Sequence, residues 1–558
     1  MNLSFPFDNF TTLGGLRRGL ALAGCLLAGP LAHAQAPSWQ AAYLAGGNAY
    51  SQVTAIATDA SGNVYIAGSF SNATFTLGTI TLTNAVTSGS TVGMSRDAFV
   101  AKWSPITQTF VWAQRAGGTT DRDMATALAV SGTGVYVLAT LNGAGFGGAV
   151  APAGDYLVKF TDAGALVWGQ PTGLTATALV ASGSSVYVAG NFTGATSVGN
   201  FSLASAGGTD LAVAKLTDAG SSGSFVWVQR AGGPGAEYAP ALAVQGSTVY
   251  IATSYGAGAS YGATQPAGAG TGIAKLTDAG SSGSFGWVQP VAGTSVNRLA
   301  VGAGRLYAAG GFSGTATFGS TALTSPGASS SFLVSLTDGG STAALGWARQ
   351  VGDAGGFTDI HSVVASGSSV YLAGRLGGAV SFGSTTLPAP AEAGLYVAKL
   401  TDAGPTSAYA WAVPASAYFS AFTHSLALSG SNVYLAGMLA GPVSFGATTL
   451  PASGGPVAFL ASLSDEGATL ATAPPAALAG LSLAPNPAHG TAQVRIPAVP
   501  GTAQATLTLL DALGRVARRQ PAATGATATL DLAGLAPGVY VLRVQAGAAT
   551  ATQKLVVE

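Results

Sequence analysis

The sequence predicts an all-β, turn-rich protein with almost no helix. Of 558 residues, 81 are Gly and 26 are Pro, the two residues that most disfavour helix interiors. Only 8% are charged, 21 of each sign, against roughly 25% in an average soluble domain, so long helices would lack the Lys, Glu and Arg that clothe their outer faces. Short apolar, β-branched segments separated by Gly, Ser and Asp recur at a nearly constant spacing, as in a meandering antiparallel sheet. A mean hydropathy of +0.42 does not make this a polytopic membrane protein, because Gly, Ser and Thr break nearly every apolar run before the roughly 18 residues a spanning helix needs. Disorder is disfavoured by 48% hydrophobic residues with aromatics spread along the chain.

The N-terminus comes first. Arg17 and Arg18 precede an apolar stretch from Gly19 to Leu31 that ends in Ala32-His33-Ala34. A basic start, a short apolar core and an A-x-A site define a cleavable secretory signal over residues 1–34, cut between Ala34 and Gln35. Leu22-Ala23-Gly24-Cys25 resembles a lipoprotein cleavage box, the alternative that would leave Cys25 lipidated. Cys25 is the only cysteine, so conventional cleavage leaves no disulfide, thiolate metal site or Cys nucleophile.

Internal repetition dominates residues 35–465. A Val-Tyr strand places its tyrosine at Tyr65, Tyr136, Tyr187, Tyr250, Tyr307, Tyr371 and Tyr434, and a Trp strand recurs at Trp112, Trp168, Trp227, Trp287, Trp347 and Trp411. Between them lies an Ala-Lys-Leu segment followed by Thr-Asp-Ala-Gly, and a further apolar strand leads each unit. Four strands at a period of about 60, seven times over, predict a seven-bladed β-propeller. An extra Phe-Gly segment (Phe318-Gly319, Phe382-Gly383, Phe445-Gly446) is expected as a fifth strand or an ordered loop. The seventh unit has no Trp strand after it, whereas a spare one, Ser38 to Gly47 with Trp39, stands at the N-terminus. That strand is expected to complete the last blade and close the ring. Burying one Trp of about 200 Å² contributes about 5 kcal/mol at 25 cal/mol/Å², the same size as closing a loop of about 400 residues by the logarithmic rule. The repeated Trp residues read as packing between blades rather than as a sugar-stacking platform.

Asp59-Ala60-Ser61-Gly62-Asn63-Val64-Tyr65-Ile66-Ala67-Gly68-Ser69-Phe70, followed by Asp97-Ala98-Phe99-Val100-Ala101-Lys102-Trp103, resembles the bacterial beta-propeller repeats named SBBP. The resemblance covers roughly residues 38–465 and implies a propeller on an exported protein.

After an Ala- and Pro-rich linker, 466–480, the text changes. Residues 481–558 alternate apolar and polar positions between Gly and Pro turns, which predicts a small β-sandwich. Pro485-Asn486-Pro487, Leu507 to Val516 with Gly514, Leu532 to Val544 with Pro537-Gly538 and Tyr540, and Gln553 to Glu558 with Lys554 resemble, in this order, the C-terminal sorting domain of type IX secretion substrates in Bacteroidota. The resemblance implies Sec export, recognition by the outer-membrane translocon, and delivery to the cell surface or medium.

Nothing reads as catalytic or cofactor-binding. No Gly cluster lies between a strand and a helix as a phosphate loop requires, and the mature histidines His361, His424 and His489 show no ligand spacing. The turn aspartates Asp162, Asp218, Asp278, Asp338, Asp402 and Asp465 read as hairpin caps, since calcium takes six to eight oxygens, and Lys159, Lys215, Lys275 and Lys399 as solvated strand ends. Segments joining each Trp strand to the next unit must emerge on one face of a propeller. There they gather Asn48 and Tyr50 and a candidate ligand rim: Asp121, Arg122 and Asp123; Glu237 and Tyr238; Arg298; Asp359 and His361; Tyr418, Phe422 and His424. The expectation is a monomeric, non-enzymatic surface scaffold that binds a glycan or protein, without metal, cofactor or nucleic acid. The alternatives are a secreted polysaccharide-cleaving enzyme, for which Asp121 with Asp123 or Asp353 with Asp359 would supply carboxylate pairs, and a structural envelope protein.

Overall fold

The computed structural model describes residues 37–46, 50–86, 95–118, 123–148, 150–293, 295–325, 330–352, 357–390, 394–417, 421–451, 455–465, 480–499, 502–511, 515–546 and 549–558. The signal cleavage pair Ala34 and Gln35 lies outside them.

Six antiparallel meanders of four strands follow one another with strands in chain order, the third extended by Ser260–Tyr261 and the sixth by Val443–Phe445 and Thr448–Leu450. The first is Ser51–Thr58, Val64–Phe70, Asp97–Ser104 and Thr109–Ala116. The third, Thr175–Ser182, Ser185–Val198, Phe201–Asp218 and Gly223–Gly232, shows the same order. In a seventh sheet Ala421–Ser429, Asn432–Leu439 and Val457–Ser464 supply three strands, and the N-terminal Ser38–Ala45 supplies the fourth by antiparallel pairing with Val457–Ser464. The strand missing from the last repeat is thus donated from the start of the chain. The leading strand of each repeat lies against that of the next, and Ala421–Ser429 lies against Ser51–Thr58, so the series of neighbours closes on itself. The fold is propeller-like.

Packing explains the low charge. Second and third strands are covered on both faces; every residue of Val64–Phe70 and Asp97–Ser104 is buried. Each junction between neighbouring repeats carries its own apolar cluster, including Tyr187, Val213 and Trp227 with Leu242, Ile251 and Leu276 between the third and fourth. Stacked sheets leave little room for charge except where it is paired.

Two irregularities recur. Each leading strand is bulged at the same ladder position, for example at Thr54, Thr177, Asn297 and His361. Each fourth strand is bulged beside its Trp, between the Lys215↔Trp227 and Leu216↔Phe225 pairs in the third repeat. A bulge re-aims side chains, and the second turns the indole toward the next repeat. The Phe-Gly segments form two-stranded hairpins, separate for Thr315–Phe318 with Thr321–Thr324 and joined to Ser407–Ala417 for Val443–Phe445; Phe318, Phe382 and Phe445, and Phe75 of a matching hairpin in the first repeat, are buried.

Trp39 departs from the expected alignment. It pairs with Leu463, and Ala41 pairs with Ser462, so Ala41 holds the place that Trp227 holds opposite Lys215. Trp39 occupies the place of Phe225. It packs edge-on to Phe445 at 4.9 Å and donates its indole N–H to the Pro414 carbonyl at 3.0 Å.

Residues 480–558 form a three-stranded sheet (Ser482–Ala484, Thr491–Arg495, Thr527–Asp531) and a four-stranded sheet (Val516–Ala523, Gln504–Leu510, Gly538–Ala546, Ala549–Val557). Val494, Leu507, Leu530, Leu542 and Leu555 share one core between them.

Candidate functional site

The repeated Asp and Lys residues do not face solvent as expected. Lys215 Nζ lies 2.6 Å from Asp278 Oδ2, the Tyr187 hydroxyl donates to the same oxygen at 2.7 Å, and Trp227 Nε1 donates to Oδ1 at 3.0 Å. Three donors from the third repeat thus converge on one carboxylate of the fourth. Asp278 also caps its own hairpin, accepting the Gly280 N–H at 2.9 Å. The arrangement repeats with Tyr136, Lys159 and Trp168 on Asp218, Tyr250, Lys275 and Trp287 on Asp338, and Tyr371, Lys399 and Trp411 on Asp465. Burial alone would raise the Asp278 carboxyl. The hydrogen bonds from Lys215, Tyr187, Trp227 and the Gly280 N–H outweigh it and hold the group below its usual value. Burial, reinforced by the adjacent Asp278, pushes the Tyr187 hydroxyl up to about 12.

Two junctions vary this pattern. Asp402 accepts Tyr307 and Trp347, but Ser335 stands in the lysine's place and Arg305 Nε approaches only to 3.6 Å. In the second repeat Asp162 offers its backbone carbonyl to Lys102 and Trp112, at 3.1 and 2.9 Å. The closing junction keeps only the tyrosine, Tyr434: Ala41, Ser462 and Pro105 replace Trp, Lys and Asp. Trp103 fills the gap, packing on Tyr434 at 6.1 Å and on Tyr43 at 5.6 Å.

The rim residues divide. Asp123 and Glu237 are fully buried, contrary to the expectation of exposed ligand contacts. Asp123 accepts the backbone N–H of Gly118 at 3.3 Å and of Asn142 at 2.5 Å. Glu237 accepts those of Gly233 at 2.9 Å and Gly256 at 3.0 Å. Both carboxylates hold loops together. Tyr238 is 46% exposed, and Asp359 is exposed. Arg298 and His361 meet across two repeats, Arg298 Nε donating to the His361 carbonyl, and burial lowers the arginine's pKa. Asp121, Arg122, Asp353 and Tyr418, and the side chains of Phe422 and His424, lie outside the described residues.

The same end of the strands carries a cavity that the rim reading missed. It spans about 390 Å³ where the first and last repeats meet and is lined by Tyr50, Gln52, Ser69, Arg96, Met438 and Pro456, among others. Tyr50 is 56% exposed and adopts a left-handed φ of 62°, a conformation that is strained for a bulky side chain and marks functional sites. Backbone bonds on both sides hold it there: Ser71 N–H donates to the Tyr50 carbonyl at 2.9 Å, and Ser51 N–H to the Pro456 carbonyl at 3.0 Å. Arg96 immediately precedes its strand, and its carbonyl accepts the Asp123 N–H at 2.9 Å. Its guanidinium is exposed, and among the described residues no carboxylate pairs with it. The corresponding bond in the third repeat joins Glu237 N–H to Thr209. The available signal was therefore a one-repeat departure, Arg for Thr. Among the described residues no group of three or more His, Cys, Asp or Glu could hold a metal ion.

In the C-terminal part, the expected motif residues clamp the final strand. Asn486 Oδ1 accepts the Val556 N–H at 2.9 Å and its Nδ2 donates to the Lys554 carbonyl at 2.7 Å, while the Tyr540 hydroxyl donates to the Ala536 carbonyl at 2.8 Å. Gly514 lies outside the described residues. Residues 482–558 match the secretion system C-terminal sorting domain family. This sorting domain implies handling by type IX secretion and marks the protein for the cell surface or for release. Among the described residues no helix is long and apolar enough to cross a membrane.

The comparison with curated proteins found no match. Among solved structures, the chain is similar to BamB from Moraxella catarrhalis at 13% identity and TM-score 0.34, covering 74% of this chain and 85% of that one. It is also similar to the quinohemoprotein alcohol dehydrogenase from Comamonas testosteroni, at 9% identity and TM-score 0.36, covering 78% and 77%.

Proposed function

We propose that the protein is a non-catalytic binding scaffold, a monomer exported behind a cleaved N-terminal signal and displayed on, or released from, a Bacteroidota cell. In this reading residues 35–465 are a seven-bladed propeller of SBBP-type repeats and residues 481–558 a β-sandwich that serves as the sorting address. One observation carries the preference for binding over turnover. Of the carboxylates paired for hydrolysis in the sequence, Asp123 has both oxygens occupied by backbone N–H groups, whereas the residues lining the seam cavity supply a guanidinium and an aromatic ring and no carboxylate. Rigid positioning by the inter-repeat hydrogen bonds suits recognition, because preorganised sites lose little entropy on binding.

The test is a hydrogen-exchange footprint of the mature protein with and without extracellular polysaccharide extracts. Protection is expected at the rim end, in residues 46–52, 69–86 and 235–240. Protection confined to the opposite hairpins, around 219–222 and 279–282, would contradict the reading.

A further inference from the structure

We infer that the seam cavity is a binding site for a carboxylated sugar, with Arg96 as the carboxylate partner and Tyr50 as the platform for the sugar ring. The inference rests on the proposed binding role and narrows it to one site and one ligand class.

Charge points to an anion. None of the lining residues is acidic. An arginine fork matches a carboxylate with two parallel hydrogen bonds. Arg96 is the only cationic residue in the lining, which favours a singly charged carboxylate over a phosphate dianion, whose second charge would go unmatched.

The remaining walls point to a sugar rather than a peptide terminus. The Ser51 and Ser71 N–H groups are already spent on the Pro456 and Tyr50 carbonyls, so the backbone donors that usually capture a peptide carboxylate are consumed. Gln52 Nε2 is given to Ser69 Oγ at 3.4 Å and to Met124 Sδ at 3.3 Å. What remains is the Gln52 carboxamide oxygen, the Ser69 and Ser71 hydroxyls, an exposed phenol ring and the apolar Met438 and Pro456. These suit a ligand with hydroxyls on its edges and C–H groups on its faces. At about 390 Å³ the cavity lies within the usual range for small-ligand sites.

The ring position also explains the strained backbone. Ser51 is tied to the last repeat through Pro456 and, by its Oγ, through the Ala458 N–H at 3.0 Å, while Tyr50 is tied to the first through Ser71. The cavity exists only when the two ends of the repeat series are joined.

Titration calorimetry of the mature chain with trigalacturonate, trigalactose and an acidic peptide tests the assignment. Trigalacturonate is expected to bind at least tenfold more tightly than either control. Arg96→Gln should weaken it tenfold or more. Tyr50→Gly, which keeps the left-handed backbone and removes the ring, should weaken it several-fold without lowering the thermal midpoint. Equal affinity for trigalactose or for the acidic peptide would overturn the assignment, as would full binding by Arg96→Gln. If trigalacturonate does not bind while a polysaccharide still protects the rim from hydrogen exchange, the cavity assignment falls and the scaffold reading stands.

Discussion

Lys215 of the third repeat and Asp278 of the fourth meet at 2.6 Å with both side chains more than nine-tenths buried. Breaking a buried pair by removing one partner typically costs about 3–5 kcal/mol, because the other charge stays buried and unmatched. Asp278→Asn is therefore expected to lower the denaturation midpoint strongly. Asp402→Asn is the internal control: Ser335 replaces the lysine there, and Arg305 is partly exposed and can turn to water. Its cost should be smaller, about 1–3 kcal/mol for the unsatisfied Tyr307 and Trp347 donors. Equal losses in the two variants would show that the ammonium is not what the carboxylate holds.

The acid limb of stability follows from the same groups. The Asp218, Asp278, Asp338 and Asp402 carboxyls are all held below their usual value of 3.8. A carboxyl whose pKa is lower folded than unfolded stabilises fully above the unfolded value and loses that contribution as pH falls through the folded one. Thermal midpoints should be flat from pH 7 to about 5 and drop progressively below pH 4. The Asp97 carboxyl acts in the opposite direction, since burial raises it despite Arg115. A midpoint unchanged at pH 3 would contradict the assigned hydrogen bonding.

Ring closure depends on the N-terminal strand. Deleting residues 35–47 removes the edge strand paired with Val457–Ser464 and the Tyr43 contact to Trp103. Hydrogen exchange should accelerate in Val457–Ser464 first. Trp39→Ala alone should cost about 2 kcal/mol, less than the ~3–5 of a fully buried tryptophan, because Trp39 is half-buried. Wild-type exchange in the deletion variant would show that the strand is dispensable.

Export is carried by the C-terminal domain. A chain ending at residue 480 should accumulate inside the cell envelope, and Asn486→Ala, which removes both bonds to the final strand, should reduce the exported fraction. Cell fractionation with detection of the propeller checks both. Full export of the truncated chain would contradict the sorting role.

Much of the architecture was legible because repeats state the same rule seven times. The Val-Tyr, Ala-Lys-Leu and Trp strands and the donated N-terminal strand stood in the pattern, since strand period and turn residues are local properties. The partners of Lys215 and Asp278 were not legible, because the pairing runs between neighbouring repeats and a sequence reading compares equivalent positions instead. Asp123 and Glu237 looked exposed by residue type, yet their neighbours supply backbone N–H groups that only the fold brings close. Tyr50 stood on the rim the sequence predicts, but Arg96 and the cavity beside it were hidden for the opposite reason: the cavity joins residues about 400 apart in sequence, at Met438 and Pro456, through closure of the ring.

The most direct measurement pairs retention with turnover. The mature protein is run through gels containing individual neutral and acidic polysaccharides, and the same mixtures are assayed for new reducing ends and unsaturated products. Retardation by at least one polymer, with no product above the protein-free control, is the expected result. Product formation, or free migration through every polymer, would contradict a non-catalytic binding scaffold.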